Sequence, residues 1–232
     1  MTKTPESHRA EWTKQIDAIT QEVYAIHHHR DLWRQLAEIT QAAKLPASVF
    51  FDALTMWYAA TQSVAVRRQL DTSKGTVSLV RLLEDLERHR GLVTREWHVS
   101  LWVGENPELV IDKGDGWMWT PFLDEAQANF DKFAGERAHE HLDRGVVQAD
   151  IARLKEAGAS VQKYVNEAIA HATLRRQSAV VTYAELNGAI DVLAELVGKY
   201  TSLLKAEAIA QFEPVIQQDW TAIFRQPWID PN

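Results

Sequence analysis

Apolar residues recur through the first forty positions at steps of three, four and seven: Trp12, Ile16, Ile19, Val23, Ile26, Trp33, Leu36 and Ile39. That spacing gathers them on one side of an α-helix, where the period is 3.6, and fits no strand, where the period is two. The pattern predicts a helix from about Glu6 to Ala43. Leu45-Pro46 ends it, because the residue before a proline avoids the α region.

The same period runs through most of the chain. Ser48 is an N-cap for a second helix to about Leu70, with Phe51, Leu54, Tyr58, Ser63 and Val66 on a shared face. Asp71 to Gly75 reads as a turn. Thr76 or Ser78 opens a third helix through Leu79, Leu82, Leu83 and Leu86, and a fourth runs from Thr94 to about Trp102. Gly104, Pro107, Gly114 and Gly116 break residues 104–120 into an irregular insertion. A helix from Pro121 to Arg137 comes next, with proline at its first position. A polar connection over 138–145 leads into a long helix from Val146 to Ala172. Thr182 and Glu185 form a capping box, each side chain meeting the other's free amide. The helix they open carries Leu186, Ile190, Leu193, Leu196, Val197, Tyr200 and Leu203 and extends toward Phe212. Two stretches, Glu108–Asp112 and Ser178–Thr182, look strand-like, and neither has a partner in sequence. Trp220, Phe224 and Trp228 imply that the tail over 214–232 packs down.

The sum is an all-α, up-and-down bundle of five or six main helices. At roughly 100–200 residues per domain, 232 residues make one domain spanning 1–232. The chain has no cysteine, which removes disulfides and thiolate metal sites. Met1 to Trp12 is too polar for a signal peptide. No apolar run approaches the ~20 residues of a membrane span. A cytoplasmic protein with no membrane contact is expected. The formal net charge of −7 removes whole-surface attraction to nucleic acid, so RNA or nucleotide must be met by a local basic cleft.

Several residues carry candidate chemistry. His171 closes the helix after Tyr164-Val-Asn-Glu-Ala-Ile-Ala, where an imidazole can move a proton near neutral pH. Asn166 can orient it or hold a phosphate oxygen, and Arg175 and Arg176 can neutralise phosphate. A helix end favours a histidine on electrostatic grounds alone. Arg67 and Arg68 suit bidentate contact with phosphate, or a simple pairing with Asp71. His27-His28-His29 cannot chelate one ion on a helix, because neighbours point about 100° apart. His141 and Asp143 can approach one metal in a loop, but no further ligand stands at a recognisable spacing. No metal and no cofactor are expected.

These motifs, taken in order, resemble the AbiU-like branch of the HEPN superfamily. The matching residues are Arg67-Arg-Gln-Leu-Asp71 with Ser78-Leu-Val-Arg-Leu-Leu83, Phe130-Asp-Lys-Phe-Ala-Gly135, His141-Leu-Asp143, Tyr164-Val-Asn166 with Ile169-Ala-His171, and Trp220-x-Ala-Ile-Phe-Arg225-x-Pro-Trp228. The resemblance implies a helical bundle, commonly a homodimer, from bacterial abortive-infection or toxin–antitoxin systems, with an antitoxin or other protein as a possible partner. It implies a metal-independent ribonuclease in which an arginine steadies phosphate and a histidine, separated from it by four to six intervening residues, moves a proton. His171 matches the histidine. Tyr164, Val165 and Asn166 stand where the arginine belongs, so an arginine must come from elsewhere, with Arg67 or Arg68 first in line. Two further readings stay open. One is a module of the same fold that binds RNA, nucleotide or protein without cleaving. The other is an assembly protein using Trp117 and Trp119 as a contact surface.

Overall fold

The computed structural model describes residues 4–44, 46, 48–104, 111–112, 118–119, 123–135, 139–169, 180–213 and 215–226. Its long elements are the helices α1 (Pro5–Ala42), α2 (Val49–Gln69), α3 (Leu79–Arg88), α4 (Arg95–Val103), α5 (Leu123–Ala134), α6 (Arg144–Ala157), α7 (Ala159–Tyr164) and α8 (Tyr183–Lys205). A π-helical segment, Val165–Ile169, continues α7. No helix among the described residues is long and apolar enough to cross a membrane.

The starts of these helices reflect local chemistry. Ser48, Ser78, Thr94 and Thr182 each accept a hydrogen bond from a first-turn amide, satisfying donors that lack an intrahelical acceptor. The box at Thr182 is reciprocal, with Glu185 accepting from the Thr182 amide at 2.8 Å. Asp143 caps α6 through the Val146 amide at 2.9 Å.

Packing is antiparallel between neighbours, as an up-and-down bundle requires. Thr20 meets Thr201 and Asp17 meets Lys205 (2.6 Å) between α1 and α8. Gln62 of α2 donates to the Ile26 carbonyl of α1 at 2.8 Å. Lys155 of α6 reaches Glu84 of α3 at 2.9 Å. The core these helices enclose includes Trp12, Ile16, Leu82, Leu86, Phe130, Leu193 and Tyr200, all fully buried. Fully burying a large apolar side chain stabilises by about 1.5–3 kcal/mol.

Several elements depart from the pattern expected of the sequence. The long helix expected over Val146–Ala172 breaks at Gly158 and turns π-helical at Val165. A side chain at Gly158 would collide, because a Cβ built there lies 2.2 Å from Leu70 Cδ1. The last helix stops at Lys205, where Ala206 takes a left-handed conformation (φ 56°). Phe212 is nevertheless buried, packed on Tyr24 and His27. Ile111–Asp112, expected to lack a partner, pairs antiparallel with Met118–Trp119. Ser178–Thr182 forms no strand in its described part, residues 180–182. The fifth helix begins at Leu123, and Pro121, its expected first residue, lies outside the described residues. In the tail, Trp220 begins a short 3₁₀ turn and its indole donates to Gln35 of α1 at 3.0 Å.

Candidate functional site

The last turn of α2 is held rigidly. Val66 and Leu70 are buried on either side of Arg67. Gln69, also buried, donates to Glu22 of α1 at 2.7 Å and accepts from the Leu79 amide of α3 at 3.1 Å. One side chain thus ties three helices together where Arg67 emerges. Across from it, Val161 and Val165 are buried, which presses α7 and the π segment onto the bundle. A π turn closes its hydrogen bond over five residues where an α turn uses four. It therefore rotates the side chains beyond it, and such turns concentrate at functional sites.

Arg67 and Asn166 meet at this junction. The Arg67 Nε donates to Asn166 Oδ1 at 3.0 Å, across 99 positions of sequence. Both side chains are half-buried. Among the described residues the two terminal guanidinium nitrogens of Arg67 have no hydrogen-bond partner, which leaves their donors for an anion. Asp71 does not claim them. Its carboxylate accepts from the Ser73 amide at 2.8 Å, and the Ser73 contacts hold its pKa below the usual carboxylate range, with smaller help from Arg67 and Arg81.

Arg68 points elsewhere, as the 100° step between helical neighbours demands. It pairs with Glu22 at 2.6 Å on an exposed face. The arrangement therefore brings Arg67 to Asn166 and leaves Arg68 on another side of α2. His171, Arg175, Arg176 and Trp117 lie outside the described residues, as does the side chain of Trp119.

A second feature was not legible from sequence motifs. A cavity of about 530 Å³ between α1, α2 and α8 is lined by His27, Arg30, Trp33, Tyr58, Tyr183 and Asp191, among others. Trp33 stacks on Tyr58 with ring centroids 4.8 Å apart, and Tyr183 extends the stack. Burial raises the pKa of both tyrosines. His27 is buried and its Nδ1 lies 3.1 Å from Arg30. Burial first, then Arg30, holds its pKa below the ordinary imidazole value. Since arginine only donates, Nδ1 accepts and the proton sits on Nε2. Tyr58 is nine residues before Arg67, roughly 13 Å along the helix.

The remaining histidines of interest serve structure. His98 is fully buried, with Nδ1 2.9 Å from the Leu203 carbonyl and Nε2 accepting from Trp102, and its burial lowers its pKa. His139 Nδ1 lies 2.8 Å from the Ala134 carbonyl. His141 is exposed and bridges to Thr94 through its main chain, and the Asp143 carboxylate caps α6. A different trio, His8, Asp85 and His89, can gather ligand atoms for a metal.

The geometry assembles one guanidinium whose terminal donors are unpaired among the described residues, one amide that orients it, and a rigid helix end beneath them. It is suited to holding a phosphate or carboxylate. Compared with known protein families, the chain is matched by the HEPN AbiU2 model over residues 9–221, a span that includes both Arg67 and Asn166. No curated protein and no solved structure matches it.

Proposed function

Because the chain belongs to the AbiU2 family of HEPN domains, we propose that it acts on RNA in a bacterial defence or toxin–antitoxin system, as a cytoplasmic, metal-independent endoribonuclease. The single observation that carries this reading is the Arg67–Asn166 hydrogen bond at 3.0 Å. Asn166 stands at a position where the family pattern calls for arginine, and a guanidinium from another helix is held against it. In this reading Arg67 steadies the scissile phosphate, and Asn166 fixes the guanidinium plane. His171 takes the proton from the 2′-hydroxyl. The 2′-oxygen then bonds to phosphorus as the bond to the 5′-oxygen breaks, and that oxygen takes a proton from water to leave as a 5′-hydroxyl beside a 2′,3′-cyclic phosphate. Arg175 and Arg176 are further candidates for the flanking phosphates, whereas Arg68, paired with Glu22 on another side of α2, is not.

The test is cleavage of RNA by the purified chain in EDTA. Breakdown to cyclic-phosphate ends is the expected result, with His171→Ala slower by at least about 100-fold, at the low end of general acid–base contributions. Equal rates for the variant and the parent chain would remove His171 from the chemistry. A second reading is favoured by the missing local arginine and the net charge of −7: the same site binds RNA or nucleotide without turnover. Stoichiometric binding with no product would select it.

The homodimer is part of this proposal, and α2 supports it. Among the described residues this helix leaves a run of apolar side chains uncovered. Val49, Phe50, Met56 and Trp57 are 53–85% exposed. Phe50, Ala53, Trp57, Ala60 and Val64 keep the alternating three-and-four spacing of a helix–helix seam. An antiparallel pairing of two α2 helices centred on Ala60 sets Asp52 of each opposite Arg68 of the other, since both lie eight residues from that centre. Trp57→Asp places a charge in the seam and is expected to convert a dimer to a monomer in sedimentation velocity, with unchanged helicity. A dimer of undiminished affinity would rule out this face.

A further inference from the structure

We infer that His8, Asp85 and His89 bind one divalent transition-metal ion of the zinc class, clamping the start of α1 to the end of α3. Each of the three can present one ligand atom so that all lie within 4.8 Å of one another. His8 comes from the first turns of α1, Asp85 from α3, and His89 is the C-cap of α3. Two imidazoles and one carboxylate form a nitrogen-rich donor set. Such a set suits zinc, cobalt or nickel, whereas calcium and magnesium prefer oxygen alone. Three protein ligands leave a further position for water.

The surroundings support a ligand role. The Asp85 Oδ2 accepts from the Trp12 indole at 2.7 Å, and Trp12 is fully buried, so the carboxylate is fixed through one oxygen. Such outer hydrogen bonds are what orient metal-binding side chains. The Nδ1 of His89 lies 3.1 Å from the Asp85 backbone carbonyl. The same nitrogen lies 3.3 Å from Asp85 Oδ1, which sets the ring against the carboxylate. The His8 and His89 rings sit 4.5 Å apart, centroid to centroid. Among the described residues no hydrogen bond satisfies the ring nitrogens of His8. A bare ion-pair reading accounts for Asp85 with His89 (3.3 Å) and Arg88 (3.0 Å), but gives His8 no polar partner among the described residues.

Arg88 is the competitor. Its guanidinium holds Asp85 Oδ1, but its side chain is 65% exposed, so it can swing into solvent when an ion arrives. His8 precedes Glu22, the partner of Arg68, by fourteen residues, roughly 21 Å along α1. An ion there would brace the fold at a distance from the Arg67–Asn166 junction, and the metal-independent chemistry proposed for that junction does not depend on it.

The test strips the full chain with EDTA, removes the chelator, and titrates zinc chloride by calorimetry. Cobalt(II) absorption serves as a second readout. One equivalent of zinc is expected to bind and to raise the melting temperature. His8→Gln/His89→Gln should weaken that site by at least about 100-fold and abolish the thermal shift. Arg88→Gln should tighten it several-fold by removing the competing cation. No zinc uptake by the parent chain would overturn the proposal. Undiminished uptake by the double variant would also overturn it, by assigning the ion to other histidines.

Discussion

Replacing Arg67 with alanine is expected to lower RNA cleavage by roughly 10²–10³-fold, the usual loss when one preorganised donor to a developing anion is removed. If the chain binds without cleaving, the same substitution should weaken RNA binding instead. The helix end survives the change, because its anchors are Val66, Gln69 and Leu70 rather than Arg67. Arg67→Lys should recover little. A lysine keeps the charge but cannot donate sideways to Asn166 while presenting two parallel donors to phosphate. Arg68→Ala is the internal control. Its guanidinium pairs with Glu22 on an exposed face, and surface pairs of this kind contribute about 0–1 kcal/mol. Cleavage assays on the three variants, with circular dichroism to confirm folding, separate these outcomes. A larger loss in Arg68→Ala than in Arg67→Ala would reverse the assignment of the two arginines.

Gly158→Ala is expected to destabilise the fold by about 1–3 kcal/mol, the cost of overpacking a filled interior. Alanine would ordinarily be the better residue in a helix, by roughly 1 kcal/mol. The backbone offers no objection either, with φ at −90°. What decides the sign is Leu70. Its Cδ1 would lie 2.2 Å from the new Cβ, with Cγ and Cδ2 at 3.2 Å, and the side chain is only 4% exposed. For a chain of this length the melting temperature should fall by roughly 2–12 °C. Leu70→Ala alone leaves a cavity and costs about 2–5 kcal/mol. The double variant should be less destabilised than the sum of the two, since each change makes room for the other. Additive melting data would mean that the two residues do not share the space. The contact also sets how closely α7 approaches the end of α2. Gly158→Ala therefore carries a functional consequence, displacing Asn166 from Arg67.

Much of the helical framework is legible in local chemistry. The face running through Trp12, Ile16, Ile19, Val23 and Ile26 is buried as its period demands. Ser48, Thr94, Thr182 and Glu185 cap the helices that their positions predict. The departures arise from contacts distant in sequence. Val147, Ile151, Leu154, Val161 and Val165 keep a helical spacing straight through Gly158, so periodicity alone hides the break there and the close approach of Leu70. Nothing in Lys205-Ala206-Glu207 announces a left-handed residue. The strand partner of Ile111–Asp112 lies beyond two glycines that read only as breakers.

The candidate site is legible in type and partly in place. The mismatch at Tyr164, Val165 and Asn166 points to Arg67 and Arg68. Which of the two approaches Asn166 depends on the rotational setting of α2, fixed by Gln69 and by neighbours far away in sequence. The aromatic cavity and the His8–Asp85–His89 trio draw on helices whose pairing no single segment encodes. The signal for the trio is modest: His89 four residues after Asp85, on one helix face, with a histidine near the start of a facing helix.

The decisive measurement is a double-mutant cycle on Arg67 and Asn166, reading the affinity of the purified chain for a fluorescent RNA in EDTA. If the amide orients the guanidinium for phosphate, the two losses overlap, with a coupling energy of about 0.5–3 kcal/mol. Strictly additive losses, or affinity unchanged by either substitution, would mean that the 3.0 Å contact only fastens two helices and that RNA is held elsewhere.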